Sequence, residues 1–176
     1  MGKLSNRLIH LTNDAVQKKS EDYGKFENGN KIAYHDFQKY LDANFPKLNI
    51  DFYRDILPQI AKLVTDTFRA AYTKIDPYKR MNCFELYGFD FMLDDEFKVY
   101  LIEANTNPCL TTPCPLLTRI ISNLLDSTFR IALDPLFHPH DFSQAKRSNA
   151  NDILNEVKFY LVFDERVDGP FLKELI

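Results

Sequence analysis

The sequence predicts an α+β domain in which an antiparallel sheet is flanked by helices. Two apolar runs, residues 84–93 and 99–105, lie on either side of an acidic turn and predict a hairpin. Stretches before and after it, residues 34–45, 51–75 and 115–133, space their apolar residues as amphipathic helices do. With 176 residues, 45% of them hydrophobic, the chain is one domain's worth and long enough for a core.

Taken in order, residues 7–12 (Arg-Leu-Ile-His-Leu-Thr) read as a short strand that delivers Asn13 to its end. Residues 14–31 are polar, hold Gly24 and Gly29, and read as a mobile loop long enough to have a use. Phe37, Tyr40 and Leu41 stand at i, i+3 and i+4 in the first helix, which Pro46 stops. In the second, Ile56, Ile60, Leu63, Val64, Thr67, Phe68, Ala71 and Tyr72 keep helical spacing. Pro58 belongs to its first turn, and Asp76-Pro77 ends it.

Strict alternation along the hairpin puts Leu86, Gly88, Asp90 and Met92 on one face with Val99, Leu101, Glu103 and Asn105. Phe89, Phe91 and Leu93 share the other with Tyr100, Ile102 and Ala104. Both faces are largely apolar, which predicts central strands covered on both sides. Asn107-Pro108 turns the chain out of the sheet, and the last long helix packs Leu116, Ile120, Leu124 and Phe129 inward. Pro135, Pro139 and residues 143–151 read as a linker, and 157–164 as a final strand. The division is therefore 1–137 as the main portion and 138–176 as linker and tail.

Composition excludes several classes. No apolar leader opens the chain, and no run reaches membrane-spanning length, so neither a secreted nor a membrane protein is expected. Cys83, Cys109 and Cys114 are odd in number and scattered, which argues against a disulfide framework. Residues 1–82 carry a net charge of +4 and 83–176 carry −7. The basic half is complementary to an acidic partner, although helical surfaces are often basic without one. With an overall charge of −3 and no basic–aromatic stripe, nucleic acid is not expected as a partner.

The chemistry concentrates in the hairpin. A four-residue turn at 95–98 would set Asp90 directly opposite Glu103, with Asn105 two residues on. Facing carboxylates repel, and a shared divalent cation relieves that repulsion. An all-oxygen donor set suits Mg²⁺ bridging phosphates better than it suits zinc. Gly88 leaves space for a ligand to approach the backbone. The plainer alternatives are a core Asp90 capped by backbone donors, Glu103 paired with Arg7 or Arg80, Asn105 opening the Asn-Pro turn, and His10 as a structural histidine. His138 and His140 with Cys109 or Cys114 match no zinc spacing, and Cys109 lacks a placed base.

Three blocks carry a resemblance: Ile9-His10-Leu11-Thr12-Asn13, residues 84–93 (Phe-Glu-Leu-Tyr-Gly-Phe-Asp-Phe-Met-Leu) and residues 101–108 (Leu-Ile-Glu-Ala-Asn-Thr-Asn-Pro). Their order and separation resemble the tubulin–tyrosine ligase-like family over residues 7–137. The resemblance implies the C-terminal portion of an ATP-grasp fold, with the N-terminal lobe that supplies the adenine pocket and nucleotide-binding lysines missing. It implies Mg²⁺ held by Asp90, Glu103 and Asn105, ATP as cosubstrate, and Asn13 and His10 at the nucleotide or acceptor. Ala104 stands where relatives usually carry valine. The implied reaction joins a free amino acid to a carboxylate of tubulin's acidic tail through an acyl phosphate. The implied setting is the cytoplasm and cytoskeleton, extending to the cilium or basal body. Tyrosine, glutamate and glycine all remain open as the amino acid, with a slight preference for tyrosine. An inactive fragment and a tubulin- or partner-binding module stand as alternatives to an autonomous enzyme.

Overall fold

A computed structural model describes residues 6–80, 82–137 and 159–173. Helices α1 (Arg7–His10), α2 (Asp14–Gln17), α3 (Tyr34–Asn44) and α4 (Leu57–Ile75) precede a hairpin of β1 (Gly88–Leu93) and β2 (Val99–Asn105). Helices α5 (Pro115–Ala132) and α6 (Glu165–Lys173) follow. The described part is thus mixed helix and strand, with one two-stranded antiparallel sheet.

Helix α4 starts where capping chemistry allows it. The Asp51 side chain accepts the Arg54 N–H at 2.8 Å, and a wide turn, Phe52–Ile56, leads into the helix. Pro58 lies in the first turn, where its missing N–H costs nothing. The core lies between α3, this turn and one face of the hairpin. Leu41, Phe52, Ile56, Phe97 and Val99 are buried, with Phe37, Ile60, Leu63, Phe91 and Leu93 packed against them. Gln59 joins helix to hairpin: its Nε2 donates to the Phe97 carbonyl at 3.2 Å, and its Oε1 accepts the Val99 N–H at 3.1 Å. Phe68 holds the other end of the hairpin, its ring 5.7 Å from Tyr87 and 6.0 Å from Phe89.

Four expectations are corrected. Residues 7–12 form no strand: Asn6 caps Leu8 N–H at 3.0 Å and starts the helical turn α1. Residues 159–164 form no strand either, and 157 and 158 lie outside the described residues. Helix α5 turns a different face inward. Ile121 and Thr128 are buried while Ile120 and Phe129 are exposed, because the apolar stripe spans about half the helix and only part of it meets the rest of the chain. The hairpin is covered on one face only among the described residues. Met92, Tyr100 and Ile102 stay exposed at 50%, 44% and 56%, opposite the face that packs on α4.

Candidate metal centre

Asp90 pairs with Glu103, Gly88 with Asn105, and Phe89 with Ala104. The route to that register differs from the expected one. Leu93 pairs with Val99 across a five-residue turn, Asp94 to Lys98, and this alone would set Asp90 opposite Ile102. An irregularity between Asp90 and Phe91 leaves Ile102 as an extra residue and restores Glu103 to Asp90. The bulge also overturns the strict alternation. Val99 and Leu101 pair with Leu93 and Phe91 on the core face, whereas Glu103 and Asn105 pair with Asp90 and Gly88 on the open one. Tyr100 accordingly sits with Met92 on the open face.

The Asp94 carboxylate organises the turn by accepting the Glu96 and Lys98 N–H groups at 3.0 and 2.8 Å. Phe97 takes a left-handed backbone (φ 62°) there, and burial of its ring against Phe45 at 5.4 Å offsets that strain. At the far end, a Cβ on Gly88 would stand 2.9 Å from the Pro108 Cβ. The space that Gly88 leaves is therefore filled by the Asn-Pro turn rather than left for a ligand.

The three donors form one group. Asn105 Nδ2 donates to Glu103 Oε1 at 3.2 Å, which leaves the amide oxygen of Asn105 available. Glu103 makes no ion pair among the described residues; Arg80 bonds Asp76 instead. Partial burial, followed by a hydrogen bond and charge repulsion from Glu103, pushes the Asp90 carboxyl above the usual carboxylate range. Asp90 is nonetheless exposed, so solvent screens this shift and it contributes little to folding. Two carboxylates and an amide oxygen on an open face fit a hard divalent cation. No cluster of three or more His, Cys, Asp and Glu forms among the described residues. His138 and His140 lie outside the described residues.

The other two expected site residues are not brought to this group. His10 ends α1 and is exposed, Asn13 precedes α2 without capping it, and neither hydrogen-bonds to the hairpin among the described residues. Their block is tied to itself, Gln17 Nε2 donating to the Leu8 carbonyl at 2.9 Å.

The segment after Asn13 is more ordered than a mobile loop. Asp14 Oδ1 accepts from Tyr23 OH at 2.8 Å and Lys31 Nζ at 3.2 Å, while Lys18 pairs with Oδ2 at 2.8 Å. Lys18 and Tyr23 lead in holding the Asp14 carboxyl down at about 2. Lys18 also acts on the Cys109 thiol, which its hydrogen bonds with Thr111 hold below the usual range. Lys18, which follows α2, thus lies within electrostatic reach of the segment that leaves β2. The i, i+4 spacing of Asp14 and Lys18 was the one sequence signal for this knot.

Residues 1–141 match the tubulin-tyrosine ligase family. The chain belongs to that family. It is 25% identical over 150 residues to tubulin glycylase 3B of Tetrahymena thermophila, covering 85% of this chain and 12% of that protein. It is 32% identical over 129 residues, 71% of this chain, to protein polyglycylase TTLL10 of Macaca fascicularis and to inactive polyglycylase TTLL10 of Homo sapiens. Those matches cover 21% and 19% of the two relatives, so the chain spans a minor part of each.

Proposed function

We propose that this chain carries the cation-binding hairpin of an ATP-grasp ligase that attaches an amino acid to a carboxylate of tubulin. The observation that carries the reading is Asp90 opposite Glu103, with Asn105 bonded to Glu103 on one open face. Among relatives named for their activity, glycylases match this chain, and this favours glycine over tyrosine as the amino acid added.

Mg²⁺, when bound, would neutralise phosphate charge and draw the γ-phosphoryl group toward its acceptor. The chain's own residues do the rest. Asp90 and Glu103 present carboxylate oxygens from adjacent strands, and the hydrogen bond from Asn105 orients Glu103. Helix α4 fixes the hairpin at Gln59 and Phe68, so the donors are held by rigid elements rather than by a loop. In the reaction proposed, an acceptor carboxylate oxygen attacks the γ-phosphorus and ADP departs, giving an acyl phosphate. The amine of the amino acid then attacks the acyl carbon, phosphate departs, and the amine's proton passes to solvent. Asn13 and His10 are assigned to the nucleotide or acceptor side only through the family resemblance. A tubulin-directed enzyme works in the cytoplasm at the cytoskeleton, including the cilium or basal body. Among the described residues no helix is long and apolar enough to cross a membrane.

A second reading has its own support. The chain is as similar to a polyglycylase as to the one named inactive, 32% identical over 129 residues in both cases. Likeness over this stretch is therefore compatible with a non-catalytic, tubulin- or partner-binding role. Calorimetry of Mg²⁺–ATP with the 176-residue chain, beside the Asp90→Asn/Glu103→Gln variant, separates the two. Micromolar binding that the variant loses is the expected result. A folded chain that binds no Mg²⁺–ATP would leave the non-catalytic reading standing.

A further inference from the structure

Residues 159–173 lie beyond the stretch that matches the family, yet they dock on the helix that carries the hairpin. The Phe163 ring lies 5.3 Å from that of Tyr72, and Tyr72 OH donates to the Gly169 carbonyl at 3.4 Å. Glu165 pairs with Lys79, and Asp168 lies 4.0 Å from Arg69. Tyr72 stands one helical turn after Phe68 on the same side of α4, and Phe68 packs on Tyr87 and Phe89, next to Asp90. Ring contacts thus join Phe163 to Tyr72 at one end and Phe68 to the strand that presents the carboxylate at the other, and one turn of α4 links Tyr72 to Phe68.

Helix α6 turns Glu165, Asp168 and the Gly169 carbonyl toward α4, and leaves Val167 and Phe171 exposed at 62% and 68%. The docking therefore rests on one ring contact, the long hydrogen bond to buried Gly169 and two largely exposed ion pairs, and the ion pairs make it salt-sensitive. Elements held this way open at lower free energy than the core does.

We propose that residues 159–173 are a clasp that positions the carboxylate hairpin through α4, with Tyr72 and Phe163 as the positioning residues. Seating the tail restrains the C-terminal half of α4, and Phe68 passes that restraint to Phe89 and Asp90. The effect on cation binding rests on the reading of Asp90, Glu103 and Asn105 as ligands; the effect on hairpin order does not.

Hydrogen exchange on the full chain tests it. In Phe163→Ala, amides of residues 88–91 should exchange at least tenfold faster, while those of residues 52–63 keep their protection. In Glu165→Lys the same hairpin amides should loosen, and Lys79→Glu added to it should restore them by reversing the pair. Faster exchange in the tail with the hairpin unchanged would overturn the proposal. So would loosening of the whole fold in both variants, or failure of the reversed pair to rescue. Mn²⁺ titration of the same samples should show weaker binding wherever the hairpin loosens. An unaltered chain that binds no Mn²⁺ would sink the cation reading and leave the exchange result to decide the clasp.

Discussion

At the scale of single residues, Gly88 shows how a sequence feature can be noticed and its purpose misassigned. An absent side chain beside Asp90 suggested room for a ligand, but the Pro108 ring occupies it. Gly88→Ala should therefore cost about 1–3 kcal/mol through overpacking, and should disturb residues 105–108 as the turn moves away. Urea unfolding measures the first effect and the chemical shifts of those residues the second; an unchanged midpoint would mean the turn yields freely. Asp14 and Asp55 carry a separate pH effect. Their carboxyls are held down at about 2, chiefly by Lys18 and Arg54 respectively. A carboxyl lowered by folding stabilises the fold above its unfolded value of 3.8 and loses that contribution as pH falls toward about 2. Thermal unfolding should therefore shift downward across that window, and Asp14→Asn with Asp55→Asn should flatten the dependence.

At the scale of elements, helix α4 and the hairpin act as a unit joined at two points. Gln59 satisfies a buried N–H at Val99 and a carbonyl at Phe97, close to the turn. Gln59→Ala leaves both without their partner and should destabilise the fold by about 1–3 kcal/mol. Gln59→Glu keeps the size and the acceptor for Val99 but sets a carboxylate oxygen against the Phe97 carbonyl, so it should cost a similar amount. Denaturant midpoints compare the two variants, and an unchanged midpoint in Gln59→Glu would mean the side chain serves as packing alone. The bulge at Ile102 belongs to this scale too. By shifting the alternation it keeps Val99 and Leu101 on the core while Glu103 and Asn105 face the open side. Strict alternation would have placed all four on one face, setting core packing against charge.

Across the whole molecule, the core lies where α3, α4 and the hairpin meet, while the open hairpin face carries the carboxylates between exposed Met92, Tyr100 and Ile102. The chain spans between 12% and 21% of the relatives it matches. Tail and strand meet the same helix, Phe163 on Tyr72 and Phe89 on Phe68 one turn earlier, which is the path the proposed clasp would use.

Local chemistry made much of this legible in advance. Amphipathic spacing located α3, α4 and α5, Pro58 and Asp76 marked where α4 begins and ends, and two apolar runs around an acidic turn specified the hairpin. The pairing of Asp90 with Glu103 was also readable, although the turn is one residue longer than expected and the bulge compensates for it. These features depend on neighbours in sequence, where spacing and side-chain type suffice. Tertiary contacts decided the rest. A run such as 7–12 meets no strand to pair with among the described residues, and the Asn6 cap makes it helical. The inward face of α5 is chosen from within a broad apolar stripe by what packs on it. Asp14 becomes the centre of a knot only when Tyr23 and Lys31 fold back upon it. The docking of 159–173 on α4 joins residues as far as 97 positions apart, a separation that no periodicity reports because only the folded chain brings those groups within reach.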